Sequence, residues 1–242
     1  LNQVYQSRLS GMARFVAAYT TPSGNAAQFG DNDGGRLLTV GIEDPGDHRY
    51  LLPGECGFGG AANRILFGGG VEPISINADE GAFKDGGYWF GTCHDGWVGI
   101  RAGVVSHAGA HAHADQLSMV LTIQGHDIIV DPGTGIYSGD VEKRNHYRST
   151  GAHNAPQIND FETNRFPSGM AGLFRMSDDT KTEVVRWERT LDEIDFSAKH
   201  HGYNQYRSDC ECQRKVKLVS GKLTIDDEIR GLLVDDRLGW TF

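Results

Sequence analysis

Leu1, Val4, Tyr5, Leu9, Met12, Phe15, Val16 and Tyr19 recur at steps of three and four residues, which predicts an amphipathic helix over residues 1–20. A helix with a full apolar face and no cap at its start must bury that face, and the expected cover is helical sequence upstream of residue 1. The polar, glycine-rich stretch TTPSGNAAQFGDNDGGR follows and reads as a loop that closes this unit at residue 36. From residue 37 onward short segments alternate apolar and polar, separated by Gly or Asp turns. YWFGTCHDGWVGIRAG reads as a hairpin turning at Asp95-Gly96, LSMVLTIQGHDIIVDPG as a second turning near Gln124-Gly125, and KVKLVSGKLTIDDEI as a third turning at Ser220-Gly221. In the third, Val216 and Leu218 should face Leu223 and Ile225. Regular hairpins over such a length predict a mostly β fold, an antiparallel β-sandwich spanning residues 37–242.

Composition agrees with this division. The 33 glycines among 242 residues are well above ordinary usage, as many tight turns between short strands require. A net charge of −9, with no Lys/Arg run, argues against a nucleic-acid surface or an anionic membrane surface, because binding phosphates takes a basic patch. No apolar run approaches the roughly 18 residues needed to cross a bilayer, and the first residues lack the charged-then-apolar layout of a secretion signal. Cys56, Cys93, Cys210 and Cys212 form no CxxC pair, so a zinc ribbon is excluded. Cys210 and Cys212 share one side of any strand, a poor geometry for a mutual disulfide. A Cys56–Cys93 bridge is left open.

Chemistry concentrates in SHAGAHAHADQLS, residues 106–118. If HAHAD is extended, His111, His113 and Asp115 project to one face while Ala112 and Ala114 leave room for close approach on the other. Neutral imidazole is a good zinc ligand and HxH a frequent donor pair; Asp131, on the partner strand, and His153, in STGAHNAP, are the further donors on offer. A simple hairpin turning at residues 124–125 sets Asp131 opposite Ser118, so His113 reaches Asp131 only if HxHxD is a loop entering the strand. A cupin would place a glutamate shortly after the second histidine, where this chain has Leu117, Ser118 and Met119. The bland alternative is a set of solvated or core imidazoles, and that is how His107, His126, His200 and His201 are read, as solvated side chains.

HAHADQLS, then IIVDPGTGIY, then NHYRSTGAHNA, with GDNDGGR and FKDGGYWF upstream, resemble the heparinase II/III-like polysaccharide lyases, which include related alginate lyases. The resemblance runs through most of the chain in order. It implies the last helix of an (α/α) toroid, here residues 1–36 with its linking loop, followed by a two-layer antiparallel super-sandwich, with the active site in the cleft between them. It implies a single zinc, largely structural, held by His113, Asp131 and His153, and a catalytic role for His111 at the reacting sugar. The toroid that supplies the family's catalytic tyrosine and asparagine is not in this chain. It also implies work in the periplasm or outside the cell.

Such enzymes perform β-elimination on a uronic acid: the carboxylate is neutralised, the C5 proton removed and the C4 oxygen protonated. Imidazole, with an ordinary pKa of about 6.5, suits proton transfer or carboxylate neutralisation. Arg148, Asn154 and Tyr137 are the candidate substrate-binding residues, although a structural ion pair, a turn and a sheet rim explain them equally. The partner expected is therefore an acidic polysaccharide, uronate-containing in preference to heavily sulfated because the chain is acidic. Two other classes stay open: a non-catalytic glycan-binding or structural sandwich that keeps the zinc site, and a zinc hydrolase, which would need an open metal position for water.

Overall fold

The computed structural model describes residues 3–32, 34, 44–52, 81–105 and 107–242. Cys56, the GFGGAANRILFGGG stretch and residues 37–43, where the expected sandwich begins, lie outside the described residues.

The predicted helix is present as α1, Gln3–Tyr19. Its C-terminal turns carry the buried contacts: Phe15, Ala18 and Tyr19 pack on Phe83, Tyr88, Phe90, Trp97 and Val120, and the Trp97 indole donates to the Ala18 carbonyl at 3.3 Å. Val4, Tyr5, Leu9 and Met12, on the earlier turns, are exposed.

The surface under α1 is a five-stranded antiparallel meander of β1 (Ala82–Phe83), β2 (Tyr88–Cys93), β3 (Gly96–Arg101), β4 (Met119–Ile123) and β5 (His126–Ile129), in that order. Successive side chains on a strand point to opposite faces. Phe90, Trp97 and Val120 therefore meet α1, while Trp89, Cys93, Val98, Ile100, Met119 and Leu121 face the second sheet. With both faces covered, β3 is buried at every residue.

The second sheet is another meander, β7 (Glu183–Arg189), β8 (Glu193–His200), β9 (Glu211–Val219) and β10 (Lys222–Arg230), in the order β10-β9-β8-β7. Ile194, Phe196, Ala198, Val216 and Leu218 close the inter-sheet core. Truncating a side chain such as Phe196, fully buried here, to alanine costs about 3–5 kcal/mol. The opposite face is polar, with Lys217 paired to Glu193 at 2.7 Å and Arg186 to Asp195 at 3.0 Å. The mostly β, antiparallel sandwich is thus the fold observed. A small third sheet joins β6 (Gln157–Ile158) to β11 (Leu238–Gly239).

Two of the three predicted turns are as expected. Gln124-Gly125 and Ser220-Gly221 each have positive φ at both residues and link paired strands through Ile123↔His126 and Val219↔Lys222, the backbone that two-residue hairpins favour. Leu223 faces Leu218 and Ile225 faces Val216. The first hairpin turns one residue earlier than expected, at His94-Asp95, with Gly96 already paired to Cys93 in β3. A Cβ on Gly96 would come within 3.0 Å of Leu218, so this glycine serves close sheet packing and not the turn. Cys93, Cys210 and Cys212 are free and buried.

Candidate functional site

Between β3 and β4 the chain does not continue as strand. HAHADQLS is a loop, with Leu117 held at φ 68° and the Gln116 side chain bonded to both the amide and the carbonyl of Gly103, at 3.1 and 2.8 Å. The single row of three polar side chains expected of an extended HAHAD is therefore not formed. His113 and Asp115 are buried, while the His111 side chain is 62% exposed. The loop form is also what allows His113 to reach Asp131, the geometric condition set by the hairpin.

Asp131 follows β5, where a bulge at Leu121/Thr122 inserts one extra residue on the β5 side of the β4–β5 pairing. One Asp131 oxygen accepts from the Gly133 amide at 3.0 Å, and the other lies 2.8 Å from His153 Nδ1. His153 is delivered by a helix that sequence periodicity did not predict, α2 (Val141–Tyr147). Asp140 caps it by accepting from the amides of Glu142 and Lys143, both at 3.1 Å. A 3-10 turn over Thr150–Ala152 follows, its first amide donating to Glu162 at 2.7 Å.

Three of the expected residues are thereby brought together. One donor atom from each of His113, Asp131 and His153 lies within 4.8 Å of the other two, and all three side chains are buried. His113 Nδ1 and His153 Nε2 are buried without a hydrogen-bond partner. Buried polar atoms are rarely left unpaired, and two imidazole nitrogens beside a carboxylate form a donor set that fits a zinc-type cation. Burial alone would lower the His153 pKa, yet the Asp131 carboxylate raises it: this environment favours positive charge, from a proton or from a metal.

Asp31, from the GDNDGGR motif, stands behind the group and was given no role by sequence reasoning. Its buried carboxylate lies 3.0 Å from His113 Nε2 and 3.2 Å from His111 Nδ1, and accepts two hydrogen bonds from Arg144 at 2.8 and 2.6 Å. Burial would raise its pKa, but the hydrogen bonds and charges of His113 and Arg144 hold it well below the usual carboxylate range. Gly30 makes this approach possible: its φ is +74°, and a Cβ there would fall 2.6 Å from the His111 carbonyl oxygen. Around the exposed His111 ring stand Tyr137, with its hydroxyl 3.3 Å from Nδ1, and Phe174, with Arg144 beneath both aromatic rings.

Two expected substrate contacts are corrected. The Arg148 guanidinium is buried and donates to Asn145 Oδ1 and to the carbonyls of Gly172, Leu173 and Arg175, all at 2.9–3.1 Å. No exposed face is left to it for a sugar carboxylate, and burial lowers its pKa to about 10. Asn154 is also buried, bonding the amide and carbonyl of Met119 at 2.9 and 2.7 Å, so it clamps the start of β4. Of the histidines read as solvated, His126 is exposed, His201 is partly exposed beside Glu211, and His200 is fully buried; the side chain of His107 lies outside the described residues.

The family model described as "Heparinase II/III-like, C-terminal" matches residues 76–240. This chain belongs to that family. Among solved structures, the heparinase-like chain is similar to heparan sulfate lyase HepC from Pedobacter heparinus, with TM-score 0.61 and 16% identity over 94% of this chain and 33% of that one. It is also similar to a heparinase III gene product, with TM-score 0.63 and 17% identity over 95% and 33%, and to a further heparinase III, with TM-score 0.61 and 16% identity over 95% and 35%. At these identities the likeness is one of fold, and the heparinase-like chain spans about a third of the length of those proteins. A search of curated proteins gives no match. Among the described residues no helix is long and apolar enough to cross a membrane.

Proposed function

We propose that this chain is the C-terminal portion of a polysaccharide lyase that cleaves a uronic-acid-containing acidic polysaccharide by β-elimination. One observation carries the reading: in a chain of this family, an exposed imidazole, His111, is held at Nδ1 by a buried carboxylate that also holds His113, one member of the His113, Asp131 and His153 group.

A carboxylate accepts and does not donate, so the neutral form of the His111 ring carries its hydrogen on Nδ1 and has its lone pair on Nε2, free for proton transfer at the sugar. In the elimination, the C5 proton passes to a base, a double bond forms between C4 and C5, and the C4–O bond breaks with its electron pair leaving on oxygen, which is then protonated. Tyr137, in contact with His111, lines the substrate side. Zinc held by His113, Asp131 and His153 would supply charge that offsets the buried carboxylate and would tie together the three segments that carry these residues. Residues 1–36 are the end of a helical toroid whose remainder covers Val4, Tyr5, Leu9 and Met12, all exposed here, and contributes the remaining catalytic groups. A uronate substrate is preferred to a heavily sulfated one because the chain carries −9 net charge. The place of action is the periplasm or the cell exterior.

The test is absorbance at about 235 nm, where an unsaturated uronate absorbs, on uronic-acid polysaccharides. It compares the intact protein containing this chain, the chain alone and a His111→Ala variant, with metal content measured alongside. A rise with the intact protein, lost in the variant, is expected. No rise on any such substrate, with zinc still bound, would replace this reading with a non-catalytic glycan-binding or structural sandwich.

A further inference from the structure

We propose that Asp31 is a positioning residue that sets the tautomers of His111 and His113 in opposite senses and so couples metal occupancy to the state of His111. The coupling is a property of the fold; only its consequence for catalysis rests on the lyase reading above.

The Asp31 side chain is 1% exposed, and five side-chain polar atoms surround its two oxygens: Nη1 and Nη2 of Arg144, Oγ1 of Thr134 at 3.1 Å, Nε2 of His113 and Nδ1 of His111. Paired with Arg144, the carboxylate offers only lone pairs. Each imidazole nitrogen facing it must therefore bring a hydrogen, and a neutral ring has only one. The hydrogen of His113 is then on Nε2, which leaves Nδ1 as a lone pair, and that atom is the buried nitrogen with no partner. His111 is held the other way round, with its hydrogen on Nδ1 and its lone pair on Nε2. One carboxylate thus makes one ring a ligand through Nδ1 and the other a base through Nε2.

The backbone makes the link two-sided. The Asp31 amide donates to the His111 carbonyl at 3.0 Å, so Asp31 holds both the main chain and the ring of His111. A cation on His113 Nδ1 would polarise that ring and strengthen its Nε2 donation to Asp31, leaving the carboxylate a weaker acceptor for His111. Such coupling is reciprocal: what zinc does to His111, a change at His111 must do to zinc.

The test uses the intact protein with 15N-labelled histidine, read by imidazole nitrogen chemical shifts with zinc loaded and after chelation, together with zinc affinities of wild type, D31N, H111Q and the double variant. In the zinc-loaded wild type His111 should show the Nδ1–H tautomer, and its shifts should move when zinc is removed. D31N should release His111 to a tautomer mixture and weaken zinc binding by about 10- to 100-fold, while H111Q should change zinc affinity in the wild type but not in the D31N background. His111 shifts indifferent to zinc, or an H111Q effect of equal size in both backgrounds, would overturn the proposal. If D31N fails to fold, the wild-type zinc titration decides alone. Elimination activity without the coupling would overturn this proposal and leave the lyase reading; coupling without activity on any uronate polymer would do the reverse.

Discussion

The Arg214 guanidinium reaches from β9 across the interior to the carbonyl oxygen of Asn154, at 2.6 Å, the residue next to His153. The same nitrogen donates to the Leu117 carbonyl at 2.9 Å, and the rest of the fork pairs with Asp227 at 2.7 Å. A fully buried arginine thus ties the second sheet to both loops that carry His113 and His153. Arg214→Met leaves the half-buried Asp227 to the Trp240 indole at 2.9 Å and removes the donor to the Leu117 and Asn154 carbonyls; buried carbonyls left unpaired cost about 1–3 kcal/mol each, so a clear loss of stability is expected. Urea unfolding with zinc content in parallel checks this; unchanged stability would mean the loops do not depend on this tie.

On the proposed reading that His113, Asp131 and His153 hold zinc, removing the ion should lower the unfolding midpoint. A site filled at 100 times its dissociation constant contributes about 2.7 kcal/mol. His113→Ala, Asp131→Ala and His153→Ala should each abolish stoichiometric binding, whereas His111→Ala should retain one ion per chain. Metal analysis after gel filtration separates these outcomes, and loss of the ion in His111→Ala would make that residue a ligand.

His200 sets an acid limit. Burial, with Arg214 and His201 nearby, lowers its pKa to about 3, and its Nδ1 accepts from the Gly202 amide at 3.1 Å. The unfolded chain takes up this proton near pH 6.5 and the folded chain does not, so the contribution is complete above pH 6.5 and is lost as pH falls towards 3. By pH 5 the loss is about 2 kcal/mol. His200→Asn, which keeps an acceptor for Gly202, should flatten the difference in stability between pH 7 and pH 5; an equally steep fall would place the acid sensitivity elsewhere.

Arg148→Lys should act on stability and not on substrate affinity. Lysine cannot reproduce the fork that holds Gly172, Leu173, Arg175 and Asn145, and buried carbonyls left unpaired cost about 1–3 kcal/mol. A lower midpoint with unchanged KM is expected; a raised KM at unchanged stability would restore Arg148 as a sugar contact.

Gly30→Ala forces a side chain into left-handed backbone, at about 1–2 kcal/mol, and against the His111 carbonyl. It should therefore weaken zinc binding as well as lower the midpoint. A variant destabilised with zinc affinity intact would separate Gly30 from the site.

The division between what could and could not be read from the sequence follows the range of the forces involved. Turn dipeptides such as Gln124-Gly125 and Ser220-Gly221 act through local backbone preference, so hairpins and register were legible, as was a helix marked by Phe15, Val16 and Tyr19. The shift of the first turn to His94-Asp95 was not, because Gly96 answers to Leu218, a neighbour only once the sheets pack. Local patterning was enough for the class of fold, and the linked motifs for the trio His113, Asp131 and His153. Packing settled the rest: Arg148 and Asn154 turn inward, His200 is buried, and Asp31 and Arg144, 113 positions apart, meet behind the histidines. A charged side chain looks the same in a sequence whether it faces water or a buried partner; which of these holds depends on where the packed elements leave it.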